Sequence, residues 1–343
     1  MVDSPPVSFR LHAEQAARSR SAGRDAPHAV DLSVSVGTLS LRNPVIAASG
    51  TFGYGVEFAE LVDLNRLGGL VVKGLSREPM EGAPPPRLCE TAGGMLNAVG
   101  LQNIGVRAFV AEKLPALRRL LREDAQGFTT AVVANVFGYR VEDYVEVIRV
   151  LEDAEGLAAY ELNISCPNTN RGGLEYGTDP AATAEVVAAA RRAATRRPLW
   201  VKLSPNVTDI ACIARAAEEA GADALTVANT WVGMAVDVES RRSRLGRLTG
   251  GLSGPAIKPL TLRLVYQVVR VVRVPVLGVG GIQKPEDVIE YILVGAHAVQ
   301  VGTAHFLDPR ASVRLVKGLE NLCLRKNINR IRDLRGEFSP EKC

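Results

Sequence analysis

Residues 199–230 read LWVKLSPNVTDIACIARAAEEAGADALTVANT. Leu199 to Leu203 is a short apolar run broken only by Lys202, and Ala224 to Asn229 is a second such run. Between them, Val207 to Ala220 has a helical pattern, with Asp209 near its start and Gly221 just after its end. A strand, a helix and a second strand in so few residues form the unit of a parallel sheet joined by crossover helices.

The same alternation extends outward in both directions. Further apolar runs fall at Pro44 to Ala48, Leu70 to Lys73, Thr129 to Asn135, Ala159 to Ile164, Pro275 to Val279 and Ala298 to Val301. Helical patterns intervene at Val141 to Ala154, Pro180 to Thr195 and Pro285 to Val294. Strands covered on both faces carry such near-continuous apolar runs. Eight repeats in about 300 residues predict an α/β fold of the (β/α)8 TIM-barrel type rather than an open doubly wound sheet. Ahead of the barrel, Leu32 to Val36 and Leu39 to Leu41 flank Gly37-Thr38 as a β-hairpin would, placed to plug the N-terminal mouth. Residues 1–30, rich in Ser, Arg, Ala and Pro without a period, are expected to be a disordered extension. Residues 31–343 are expected to form one barrel domain. The longest connection, residues 74–128, is expected to be a lid or substrate wall.

Composition narrows the chemistry. The 343 residues carry a formal charge of +4, with 41 basic residues scattered among 37 acidic ones, which argues against nucleic acid. Five cysteines without CxxC spacing and four histidines without HxxxH spacing predict neither a disulfide framework nor a metal site. An iron–sulfur cluster would therefore belong to another chain. No apolar run reaches the roughly 18 to 20 residues that span a bilayer, so a soluble, cytoplasmic protein is expected.

In a barrel of this kind the chemistry stands at the C-terminal ends of the strands. There the sequence has Ser49-Gly50, Lys73-Gly74, Asn135, Asn163, Lys202, Asn229-Thr230, Gly280-Gly281 and Gly302-Thr303. Single Asn, Ser, Thr and Gly residues are ordinary turn formers. Two strands ending in lysine are not ordinary, because an unpaired buried ammonium is costly, so Lys73 and Lys202 call for an anion or an electron-rich ring. Glycines after the last two strands allow backbone N–H groups to approach a phosphate. A phosphate corner facing a lysine across the barrel mouth fits flavin mononucleotide (FMN). Cys166 follows the fourth strand in Asn163-Ile164-Ser165-Cys166-Pro167-Asn168, where a thiol can serve as base or nucleophile.

Five motifs carry a resemblance. Ala48 to Gly55 (ASGTFGYG), Gly94 to Asn103 (GMLNAVGLQN), Asn163 to Asn168 (NISCPN), Val201 to Ile210 (VKLSPNVTDI) and Gly250 to Pro259 (GGLSGPAIKP) resemble dihydroorotate dehydrogenases, in order and at family spacing. Within that family the pattern is similar to the NAD-linked class, called class 1B. The resemblance implies oxidation of (S)-dihydroorotate to orotate in pyrimidine biosynthesis, with Cys166 removing the C5 proton and hydride passing from C6 to flavin N5. It implies FMN contacts at Ser49, Lys73, Gly74, Asn135, Asn163, Lys202, Ala228, Gly254, Gly280, Gly281, Gly302 and Thr303. Substrate contacts are implied at Lys73, Asn97, Ala98, Val99, Gly100, Leu101, Asn163, Asn229 and Thr230. The implied partner is a separate FAD and iron–sulfur subunit, in a heterotetramer of two catalytic and two electron-transfer chains. Leu75, Ala83, Ile104, Phe137 and Tyr139 depart from the family pattern around the lid. Rival readings are another FMN-dependent reductase of a dihydropyrimidine or dihydrouridine, an aldolase or lyase using Lys202 as a Schiff base, and a cofactor-free module binding a phosphate ligand.

Overall fold

The computed structural model describes residues 30–164 and 176–340. The expected extension therefore lies outside the described residues except for Val30, and so do Ser165 to Asn168, Cys166 among them.

A short hairpin leads the chain. In β1 (Val34–Val36) and β2 (Leu39–Leu41), Val34, Val36 and Leu41 point inward while Ser35 and Ser40 face water, the alternation that fixes a hairpin's register. Gly37 supplies the positive φ of the turn and lies beside the carbonyl of Asp223, just ahead of a barrel strand, at the N-terminal end of the barrel.

Eight parallel strands then close on themselves: β3 (Val45–Ala47), β4 (Gly69–Val71), β7 (Ala131–Val136), β8 (Ala159–Asn163), β9 (Leu199–Lys202), β10 (Ala224–Val227), β15 (Val276–Val279) and β16 (Ala298–Val301). Every residue of β7 and β8 is buried, as the continuous runs in the sequence require. The helix Ile210–Glu219 illustrates the outer layer. Ile210, Ile213, Ala214 and Ala217 form its buried stripe, and the Asp209 carboxylate accepts from the N–H groups of Ala211 and Cys212, a cap that contributes about 1 kcal/mol. Five of the eight strands stop one or two residues short of the expected ends, β15 and β16 end where expected, and β7 runs one residue further to Val136. Beyond β4 the exit residues bond sideways. Lys73 N–H donates to Gly53 O at 2.8 Å and Leu75 N–H to Asn135 O at 2.8 Å.

The connection over residues 74–128 carries strands of its own. It contains β5 (Leu88–Thr91) and β6 (Gly94–Asn97), and a later connection supplies β11 (Trp231–Gly233), the two-residue pair β12 (Val236–Asp237) and β13 (Arg242–Ser243), and β14 (Gly250–Ser253). These two distant segments meet in one antiparallel sheet of order β11-β14-β6-β5, with Asn97 opposite Gly251. Among the described residues no helix is long and apolar enough to cross a membrane, and no group of three or more His, Cys, Asp or Glu could hold a metal ion.

Candidate active site

A cavity of about 1340 Å³, counted with its open mouth, lies where the barrel strands end and the four-stranded lid sheet overhangs them. Ser49, Lys73, Gly74, Asn135, Asn163, Lys202, Ala228, Gly254, Gly280, Gly281, Gly302 and Thr303 line it, as do Asn97, Val99, Gly100, Leu101, Asn229 and Thr230. Ala98 differs. Its side chain does not line the cavity but is fully buried with Cys89, Leu96 and Leu245 in a small core of the lid, because side chains alternate in direction along an extended segment.

The cavity floor is a polar layer inside the barrel, which corrects the premise of an unpaired Lys202. Lys202 is not an unpaired ammonium: its Nζ lies 3.9 Å from Oε1 of Glu161, a carboxylate with no exposed surface. The same oxygen accepts from Asn135 Nδ2 at 2.9 Å. The other oxygen accepts from Thr226 Oγ1 at 2.8 Å and from Gln300 Nε2 at 2.5 Å, the latter reaching across the barrel from β16. With their amino groups so engaged, Asn135 Oδ1 and Gln300 Oε1 are buried acceptors without a partner among the described residues, and both residues line the cavity. Buried polar atoms are seldom left this way, so the floor is built for donors that a ligand supplies. Lys73 makes no ion pair among the described residues. Burial, and then the nearby Arg87 guanidinium, hold its ammonium below the usual lysine range.

At the opposite corner the N–H groups of Gly280, Gly281, Gly302 and Thr303 donate to no acceptor among the described residues. Gly281 has φ +68°, and a Cβ there would crowd Lys258 and the carbonyl of Gly254. Gly302 differs, because a Cβ built on it would meet nothing closer than Ala48 Cβ at 3.7 Å. Packing does not demand glycine at 302, and the space beside it leaves its backbone N–H open to close approach by a ligand.

A family model described as dihydroorotate dehydrogenase matches residues 31–323. The chain belongs to the dihydroorotate dehydrogenase family. It is an oxidoreductase of dihydroorotate in pyrimidine biosynthesis, and membership makes it a flavoprotein. A protein of Solibacter usitatus named as a putative dihydroorotate dehydrogenase A (fumarate) is 60% identical over 305 residues, 89% of this chain and 97% of its own length. Catalytic subunits of dihydroorotate dehydrogenase B (NAD(+)) from Trichlorobacter lovleyi and Pelobacter propionicus are 53% and 52% identical, each over 89% of this chain and 97% and 98% of their own lengths.

The dihydroorotate dehydrogenase lid is held by its own polar contacts. Arg87 donates to Ala83 O at 2.6 Å, to Glu81 O at 2.9 Å and to Gln102 Oε1 at 2.8 Å, tying the first lid strand to the loop over residues 98–102. Ile104, one of the departures from the family pattern, has an N–H that donates to Tyr54 Oη at 3.1 Å, which proline could not do. Sequence reasoning missed Glu161 and Gln300. Each stands as the one polar side chain in mid-run, in Ala-Tyr-Glu-Leu and in Ala-Val-Gln-Val, and that interruption was the available signal.

Proposed function

We propose that this dihydroorotate dehydrogenase uses FMN in the cavity, with Cys166 as the base, and passes electrons to NAD(+) through a second subunit carrying FAD and an iron–sulfur cluster. The observation that carries the cofactor reading is the pairing of a four-amide corner at Gly280, Gly281, Gly302 and Thr303 with a floor that holds two free acceptors, on the cavity-lining Asn135 and Gln300. One corner suits one phosphate, and the floor suits a ring edge bearing N–H donors. Bound there, FMN supplies a two-electron acceptor next to the substrate.

The chain's own residues do the rest. Lys73 would neutralise the substrate carboxylate with a charge that no described carboxylate competes for. Asn97, with Nδ2 donating to Gly251 O at 3.0 Å, turns its carbonyl to the remaining side. Asn163 and Asn229, 3.4 Å apart, offer both donors and acceptors to an imide-like ring. The Cys166 thiolate would take the C5 proton, in the family's position for the base.

The test is anaerobic. Purified protein should be yellow and should bleach when dihydroorotate is added, and in Cys166→Ala bleaching should slow by about 10² to 10⁴ with the flavin retained. A colourless chain that cannot be reconstituted with FMN ends the cofactor reading. Bleaching within a factor of about three of wild type, far below that general-base range, ends the assignment of Cys166. The name of the 60% identical relative favours a second reading, in which fumarate is the acceptor. Fast reoxidation of the bleached chain by fumarate would select that reading, and slow reoxidation by both fumarate and NAD(+) alone would select the two-subunit one.

A further inference from the structure

Resting on the reading of the cavity as an FMN site, we propose that Glu161 is a positioning residue: it fixes the floor amides as acceptors and sets the charge that the flavin feels from Lys202. Asn and Gln amides are nearly symmetric in shape, so what surrounds them decides which end points where. Glu161 decides it here. A carboxylate offers only acceptors, and both of its oxygens are engaged, Oε1 by Asn135 Nδ2 and Oε2 by Thr226 Oγ1 and Gln300 Nε2. Turning either amide around would set oxygen against oxygen at hydrogen-bond distance. Asn135 Oδ1 and Gln300 Oε1 are therefore held toward the cavity as two acceptors, and neither has a partner of its own among the described residues. A ring edge that donates N–H groups, as the pyrimidine ring of an isoalloxazine does, is selected over one that only accepts.

The second consequence is electrostatic. Glu161 has no exposed surface and Lys202 is 6% exposed, so the pair at 3.9 Å is poorly screened by water. Flavin reduction adds negative charge to the ring. Lys202 favours that charge and Glu161 opposes it, so the carboxylate holds the flavin potential down.

Glu161→Gln keeps the shape and removes both effects. Its amide can donate, which frees Asn135 and Gln300 to turn, and Lys202 loses its counter-charge. Three measurements on the full chain test this: FMN titration of the apoprotein, the midpoint potential of bound flavin by dye equilibration, and thermal melting. The expected result is FMN binding weaker by about tenfold, the order of one lost charge-assisted hydrogen bond, together with a more positive potential. A residue that merely supported the barrel would lower the melting temperature and leave the potential where it was, and that result overturns the proposal. Glu161→Asp provides the second arm should the glutamine variant not fold. It retains the charge but is one methylene too short to reach all three donors, so FMN should bind more weakly at an unchanged potential. Wild-type affinity in that variant would also overturn the proposal. Wild-type protein that takes up no FMN would instead defeat the cofactor reading, a distinct outcome that removes this inference with it.

Discussion

Two buried glutamates, nine residues apart in sequence, have opposite surroundings. Glu152 ends the helix Val141–Glu152, which runs back against the strands, so it sits near the N-terminal end of the barrel. Tyr160 Oη and Thr195 Oγ1 each donate to it at 2.8 Å, the Arg196 N–H at 3.1 Å, and the Arg197 guanidinium lies 3.9 Å away. Arg197 spends its remaining donors on the carbonyls of Leu151, Glu152, Leu157 and Ala154 and on Tyr160 Oη. Burial pushes the Glu152 carboxyl up, but Thr195, Tyr160, Arg196 and Arg197 together bring it below the usual carboxylate range. No buried side-chain nitrogen or oxygen of that cluster lacks a partner. Around Glu161 two acceptors are left over, and both belong to cavity-lining residues. A saturated network closes one end of the barrel, and an unsaturated one prepares the other end for a ligand.

The sharpest way to break this contrast is to unbalance the saturated end. Arg197→Ala takes from the buried Glu152 its counter-charge and strips the carbonyls of Leu151, Leu157 and Ala154 of a donor, and the expected loss is about 3 kcal/mol in chemical denaturation. FMN affinity and flavin potential should not move. A changed potential in this variant would mean that the two ends are coupled and the contrast is false.

Next in size is Lys73, which the comparison assigns to the unsaturated end. Lys73→Met should weaken orotate binding by roughly 10- to 100-fold, the worth of one charge-assisted contact. Because burial and Arg87 lower the Lys73 value, its ammonium is lost at a lower pH than that of a surface lysine. In wild type, orotate affinity should hold steady at neutral pH and fall as pH rises through that lowered value, whereas the methionine variant should lack this step. Orotate titrations from pH 7 to 10 read both. Equal affinities for the two proteins would remove Lys73 from the substrate's carboxylate.

The smallest effect is expected at the lid's edge. Tyr54→Phe deletes only the acceptor of the Ile104 N–H and should cost about 1 kcal/mol or less. It should appear as faster hydrogen exchange at the Ile104 amide with little change in melting. Unchanged exchange there would show that this contact does not hold the loop.

The barrel was legible in the sequence because its strands are buried on both faces and so advertise themselves as near-continuous apolar runs. The lid sheet was not. β11 has three residues and β5, β6 and β14 have four each, too few for a period to register, and their pairing joins Asn97 to a residue 154 positions away. Site residues at strand exits could be read because the fold rule says where to look. The partner of Lys202 could not, since Glu161 meets Thr226 and Gln300 only once the sheet has closed. Two lid departures proved to be packing choices: Leu75 is fully buried, and the Phe137 ring lies edge-on to Tyr139 and Tyr144.

The split origin of the lid sheet also bears on how the protein comes into being. A chain emerging from its N-terminus exposes β5 and β6 early, yet their neighbour β14 ends at Ser253, after six of the eight barrel strands have been made. Until then the hairpin of Leu88–Thr91 and Gly94–Asn97 has a bare edge, and a two-stranded ribbon is at best marginally stable in water. The wall over the cavity is thus completed late in synthesis, when most of the barrel it covers has already been translated.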